Sequence, residues 1–63
     1  MLSAAEQFTR EVEALHDGDF ARRCEAAANL GRLGTASALP LLRCAVEDTA
    51  TEVREAAVWS LLE

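Results

Sequence analysis

Two acid–arginine pairs are the residues of this sequence with the clearest chemistry. Asp17 precedes Arg23 by six residues, and Asp48 precedes Arg54 by the same spacing. A partly buried guanidinium needs carboxylate or carbonyl acceptors, so the pairs predict structural contacts in which each arginine binds acidic or carbonyl oxygens. Guanidinium groups also hold carboxylates and phosphates, so a ligand-binding pair of arginines is the alternative.

The thiols and the single imidazole form no comparable pattern. Cys24 and Cys44 are predicted to be small core residues, because free cysteine is among the most buried residue types. Together with His16 they would offer a metal only three ligands, without tight spacing. We therefore predict no catalytic residue, no metal site and no cofactor. The absence of a disulfide framework suits a reducing cytosol and predicts a cytoplasmic location.

The charged residues favour a solvated, acidic surface. The net charge is −5, and the six basic residues are arginines spread among eleven acids, so nucleic-acid binding is disfavoured. No apolar run approaches the roughly 20 residues that a membrane span needs, so no membrane partner is predicted. Helical amphipathicity already explains the spacing of the glutamates predicted to face solvent, which are Glu11, Glu13, Glu25, Glu47, Glu52 and Glu55.

The elements that must position these side chains repeat along the chain. The segment 17–30 recurs at 48–61, an offset of thirty-one residues. Self-similarity at such a period is typical of a solenoid, in which each unit buries its apolar face against its neighbours. The sequence predicts an all-α fold of four antiparallel helices, forming one domain with a first unit at about 3–34 and a second at about 37–63. The predicted helices cover about 4–16, 20–33, 38–47 and 52 onward.

Capping signals and apolar stripes define these helices. Helix ends are predicted from a capping box of Ser3 with Glu6, caps at Asp19 and Ser37, a left-handed Gly18, a stop at Gly34 and a second box of Thr49 with Glu52. The predicted inward positions recur at helical spacing. They are Ala5, Phe8, Val12 and Leu15, then Phe20, Cys24, Ala27, Leu30, Gly31 and Leu33, then Leu39, Leu42, Ala45 and Val46, and finally Val53, Ala56, Ala57 and Leu61.

The second helix of each unit also resembles a known repeat. Residues 20–34 and 53–61 resemble the second helix of HEAT-like repeats, most closely the short bacterial variety of phycobilisome lyases, whose pattern is Val-Arg, two residues, Ala-Ala, Ala-Leu-Gly and Leu-Gly. Residues 38–42 with Asp48 look like the first helix of that repeat. The chain departs from the pattern at Arg22 and Val58, and it lacks a second Leu-Gly ending. The resemblance implies two stacked HEAT-like helical hairpins, a fragment of an α-solenoid, joined by an Asp–Arg ladder.

This resemblance implies a non-catalytic module that binds or scaffolds an unidentified protein on a concave surface lined by the second helices. Trp59 is interpreted as a core or inter-unit residue, with an exposed contact residue as the alternative. The other functions considered are part of a bilin lyase or chaperone-like enzyme subunit, and a HEAT-like DNA-binding module. The chain is either part of a longer array or a small protein that self-associates through its end helices. Candidate partner-surface residues are Arg22, Glu25, Asn29, Arg32, Glu55 and Trp59.

Overall fold

Two helical hairpins stack side by side in the computed structural model, which describes residues 1–62. The described residues contain no strand, and the predicted all-α fold is confirmed. The helices are α1 (Ala4–Ala14), α2 (Phe20–Leu33), α3 (Ala38–Ala45) and α4 (Thr51–Leu62). The first hairpin pairs α1 with α2, the second pairs α3 with α4, and the hairpins meet mainly through α2 and α4. The predicted end of the second unit, Glu63, lies outside the described residues.

Side-chain caps begin the first two helices as predicted. The backbone N–H of Glu6 donates to Ser3 Oγ at 3.2 Å, and the Ser3 N–H donates back to Glu6 Oε1 at 3.1 Å. The bond from the Ser3 backbone N–H holds the pKa of the Glu6 carboxyl below its ordinary value, and the Ser3 side chain has a smaller effect in the same direction. Asp19 caps α2 by accepting from the Ala21 N–H at 3.1 Å. These bonds satisfy N–H groups that have no partner inside the helix.

Gly34 ends α2 as predicted, and it does so in the left-handed conformation. Its φ is 64°, and its N–H donates to the Leu30 carbonyl at 3.3 Å. An L-residue with a Cβ is strained in this conformation, whereas glycine adopts it freely.

We expect Gly34→Ala to lower the free energy of unfolding by about 1 kcal/mol, because the added Cβ is strained at positive φ. Urea unfolding followed by circular dichroism measures the change. Gly18→Ala is the control, since a Cβ at Gly18 meets nothing within 4 Å and Gly18 has no positive φ. Equal stability of the two variants would contradict the assignment of Gly34 as the helix stop.

Several predicted helix ends are wrong in detail. Gly18 does not have a positive φ, and the Ser37 side chain makes no capping bond. The predicted box of Thr49 with Glu52 does not form, because α4 begins at Thr51 and Asp48 supplies the turn bond instead. Both first helices end earlier than predicted, at residues 14 and 45. Each is followed by a tight turn of i→i−3 hydrogen bonds, which closes the chain before the next helix.

The core consists of a few apolar side chains and many alanines. Leu30, Leu42 and Val53 are fully buried, and alanines pack between them. Because alanine is small, α2 and α4 approach closely and the buried stripe of each helix stays narrow. The fully buried alanines are Ala26, Ala27 and Ala57, and the nearly buried ones are Ala14, Ala38 and Ala45.

Five predicted inward positions are exposed instead. On α3 the buried residues are Ala38, Leu42 and Ala45, and residues one or two positions along the helix point about 100° or 200° away from them. The same rotation turns a side chain two positions after a buried α4 residue towards solvent. The exposed residues are Ala5, Phe20, Leu39, Cys44 and Trp59.

Candidate functional site

Arg23 fastens the turn of the first unit to the turn of the second. Its Nε and Nη2 donate to the two carboxylate oxygens of Asp48 at 3.0 and 3.2 Å. Its Nη1 donates to the backbone carbonyls of Asp17 at 2.7 Å and Gly18 at 3.2 Å. The side chains of Arg23 and Asp48 are each only 15% exposed. The planar guanidinium thus binds both turns at once, in the bidentate geometry that arginine and carboxylate share.

Arg54 repeats half of this arrangement. Its Nη1 donates to the backbone carbonyls of Asp48 at 2.8 Å and Thr49 at 3.2 Å, and its Nη2 donates to Thr51 Oγ1 at 2.9 Å. Within residues 1–62, the Nε–H of Arg54 has no acceptor. The carboxylate of Asp17 accepts from the Asp19 N–H at 2.8 Å, and no described arginine side chain binds it. The predicted ladder residues therefore contain one carboxylate–guanidinium bridge, which crosses from Arg23 to Asp48.

The bonds to Asp48 favour its ionised form. The Ala50 N–H donates to its Oδ1 at 2.9 Å and has the largest effect, and Arg23 adds a hydrogen bond and a positive charge. Burial opposes them, and the net result is a pKa below the ordinary 3.8.

Stability should therefore fall in acid. A carboxyl whose folded pKa is depressed contributes stability above its unfolded pKa, and that contribution disappears as the pH falls through the lower folded value. We expect the free energy of unfolding of the wild type to decrease from about pH 4 downward. Urea unfolding across this range measures the slope. Asp48→Asn should show a shallower slope, and an unchanged slope would contradict the assigned role of Asp48.

Glu11 is buried on α1, against the prediction that it faces solvent. Glu11 is only 5% exposed, and each of its carboxylate oxygens accepts a hydrogen bond from another side chain. Arg22 Nη1 donates to Oε1 at 3.4 Å, and Asn29 Nδ2 donates to Oε2 at 3.2 Å. Burial is tolerated because these partners replace water. The repeat gave a usable signal, since Glu11 falls on the buried Leu42 at the offset of thirty-one residues.

On α2, one face meets α4 along its length. The Cys24 thiol lies 3.6 Å from the Glu52 carbonyl, and the Ala27 carbonyl accepts from Ser60 Oγ at 2.9 Å. Gly31 lies so close to Ser60 that an added Cβ would stand 2.5 Å from its Oγ. Contacts thus run in parallel from Arg23 and Asp48 near the helix beginnings to Gly31 and Ser60 near their ends.

The α4 residues that are equivalent by the repeat to this contact face of α2 point away from the first hairpin. Shifting Arg23, Cys24, Ala27 and Gly31 by thirty-one residues gives a set of α4 residues that we call the outer face. Val58 is 44% exposed and Leu62 is 72% exposed, whereas Ala27 is fully buried. Trp59, which is 68% exposed, lies beside them. The outer face comprises Arg54, Glu55, Val58 and Leu62, with Trp59 at its margin.

The sequence comparison identifies the repeat. Residues 11–63 match the sequence pattern of the family described as HEAT repeats. The chain belongs to the HEAT-repeat family. No match was found among curated proteins or among solved structures. The predicted resemblance to HEAT-like repeats is confirmed, and HEAT repeats generally mediate protein interactions.

Within this HEAT pair, the predicted partner-surface residues divide into two groups. Arg22 and Asn29 bind Glu11, Arg22 also lies 3.5 Å from Glu25, and Arg32 donates to the Asn29 side chain. These four α2 residues and Glu11 of α1 form one connected polar network, which we call the α2 network. Glu55 and Trp59 lie on α4 and belong to the outer face or its margin.

The thiols and acids of the HEAT pair do not converge. Cys24 and Cys44 are free cysteines, the first half-buried and the second exposed. In the part of the chain that the structure describes, no three His, Cys, Asp or Glu side chains are grouped as metal ligands would be. None of the helices within residues 1–62 combines the length and apolarity needed to cross a bilayer.

Proposed function

We propose that this chain is a non-catalytic protein-interaction module that acts as a scaffold in the cytoplasm and binds its partner on the outer face of α4. The observation that carries the proposal is the exposure of Val58, Trp59 and Leu62 on successive parts of one helix. Contiguous apolar side chains on a protein surface mark interaction sites. Tryptophan is also enriched among the residues that dominate binding energy, so Trp59 is the expected anchor, with Val58 and Leu62 as the apolar surface beside it.

The acidic side chains with lowered pKa values or buried positions have structural roles. The lowered pKa values belong to Glu6 and Asp48, and each is explained by a helix cap or a turn bond. Glu11 is neutralised by Arg22 and hydrogen-bonded by Asn29. These acids stabilise helices, turns and hairpin packing, as expected for a scaffold.

The polar network on α2 is the second candidate contact surface. Arg22 and Asn29 both donate to Glu11, and Arg32 donates to Asn29, so these side chains are ordered before any partner binds. Preorganised polar side chains lose less entropy on binding than free ones. Together with Glu25 they could contact a partner on the concave side of the second helices.

Affinity capture with matched variants distinguishes the two surfaces. Tagged wild type, a Val58→Ser/Leu62→Ser variant and an Arg32→Glu variant are exposed to an extract of the source organism, with Glu47→Gln as the control. We expect a specific protein to be retained by the wild type, the control and Arg32→Glu, but lost with Val58→Ser/Leu62→Ser. Loss with Arg32→Glu alone would instead favour the α2 network. Equal retention by all variants would contradict both surfaces.

A further inference from the structure

We propose that the outer face binds an α-helix of another protein, one that carries an acidic side chain just before its first turn and small apolar residues along its contact stripe. The inference rests on the proposed function, and it specifies the chemistry of the partner. Its template is the joint between α2 and α4 inside the chain. There the incoming helix, α4, brings Asp48 to Arg23 and then packs Val53, Ala57 and Ser60 towards α2.

Arg54 supplies the charge complementarity. The carbonyls of Asp48 and Thr49 hold its guanidinium at 2.8 and 3.2 Å, as those of Asp17 and Gly18 hold Arg23 at 2.7 and 3.2 Å. In Arg23 the Nε edge then binds a carboxylate, whereas in Arg54 the Nε–H has no acceptor among residues 1–62. A carboxylate from the partner completes the same bridge at the first turn of α4. The neighbouring Glu55 favours a basic or hydrogen-bond-donating residue close to that acid.

The apolar half of the outer face determines the size of the residues opposite. Val58 and Leu62 stand at the positions of Ala27 and Gly31 on α2. Gly31 has no side chain and permits the close approach of Ser60, whereas Leu62 at the equivalent position carries a large side chain that is 72% exposed. A helix at the α2–α4 spacing therefore needs glycine or alanine opposite Val58 and Leu62. Larger residues there would overpack the joint.

A second copy of this chain fits the outer face poorly. In a head-to-tail stack, the first unit of the second copy would present Arg22 and Asn29 where the internal joint presents Val53 and Ser60. Those two side chains are already bound to Glu11. Burying Val58 and Leu62 against them would place apolar side chains on a charged network, and would remove water from its exposed parts.

Selection from a displayed library tests this directly. The library presents amphipathic helices of about 20 residues, long enough to hold helical structure, with the residues before and within the first turn and along one stripe randomised. We expect wild-type protein to enrich helices with Asp or Glu before the first turn and with Ala or Gly along the stripe. Changing that acid to its amide should weaken binding about tenfold or more, because a charge-assisted bidentate bond is lost. Leu62→Ser should weaken it as well, whereas Arg43→Gln, an exposed change on α3, should not.

The outcomes separate this inference from the proposed function. Enriched helices that need Leu62 but tolerate the acid-to-amide change would overturn the inference and leave the outer face as the contact surface. The inference would also be contradicted if no helix were enriched, or if the enriched helices bound equally well after the acid-to-amide change and after Leu62→Ser. In that case the affinity capture still tests the proposed contact surface separately. Sedimentation equilibrium gives the remaining outcome. We expect a monomer, and a dimer that Leu62→Ser dissociates would show that a second copy occupies the face.

Discussion

Replacing Arg23 by alanine is expected to lower the free energy of unfolding by about 3 kcal/mol, a large fraction of the stability of so small a domain. The loss has two parts. The carboxylate of Asp48, which is 15% exposed, keeps its charge but loses its bidentate partner. The carbonyls of Asp17 and Gly18 lose the donor that closes the first turn. Urea unfolding at neutral pH, followed by circular dichroism, measures the change.

Arg54→Ala is the matched control for this prediction. Arg54 donates to the carbonyls of Asp48 and Thr49, which are equivalent by the repeat to the carbonyls that Arg23 binds. It bridges to no carboxylate within residues 1–62. We expect its replacement to lower the free energy of unfolding by only about 1 kcal/mol. The difference between the two variants then isolates the bridge to Asp48. Equal losses would show that the bridge adds nothing to the joint between the hairpins.

Gly31→Leu is expected to have an effect of similar size, lowering the free energy of unfolding by about 3 kcal/mol. A Cβ at this position would stand 2.6 Å from Ser60 Cβ and 3.1 Å from its Cα. The obstruction includes backbone, so α4 must move away from α2, and the packing between the buried Ala27 of α2 and Ala57 of α4 is lost. Leucine is also the residue that the second unit carries at the equivalent Leu62.

Two further variants give this second prediction its controls. Gly31→Ala should be milder, because alanine regains about 1 kcal/mol of helix propensity while still pressing on Ser60. Gly18→Ala should be nearly neutral, since nothing lies within 4 Å of a Cβ there. If Gly31→Leu unfolds at the same urea concentration as wild type, the close approach of the two helices is wrong.

The repeat in the sequence was sufficient to predict the architecture. Matching segments at the offset of thirty-one residues predicted two equivalent helix pairs, and the all-α fold is confirmed. The caps at Ser3, Asp19 and Gly34 were also predictable, because each depends on residues within a few positions along the chain. Local chemistry of this kind needs no knowledge of the neighbouring hairpin.

Positions that depend on the neighbouring helix were predicted less well. Glu11 resembles its solvated neighbours in sequence, and only the approach of Arg22 and Asn29 from α2 explains its burial. Trp59 and Cys44 are apolar enough for a core, but the narrow stripe left by alanine packing turns both towards solvent. Periodicity identifies which residues share a face, whereas the width of the buried stripe is set by how closely the helices approach.

The central claim, that the outer face of α4 is the contact surface, is tested most directly by mapping amide chemical shifts in ¹⁵N-labelled protein during titration with a selected helix. We predict that the largest changes occur at Arg54, Glu55, Val58 and Leu62, together with the indole N–H of Trp59. The α2 network should change little. Changes confined to α2 at Arg22, Glu25 and Arg32, with α4 unaffected, would contradict the claim.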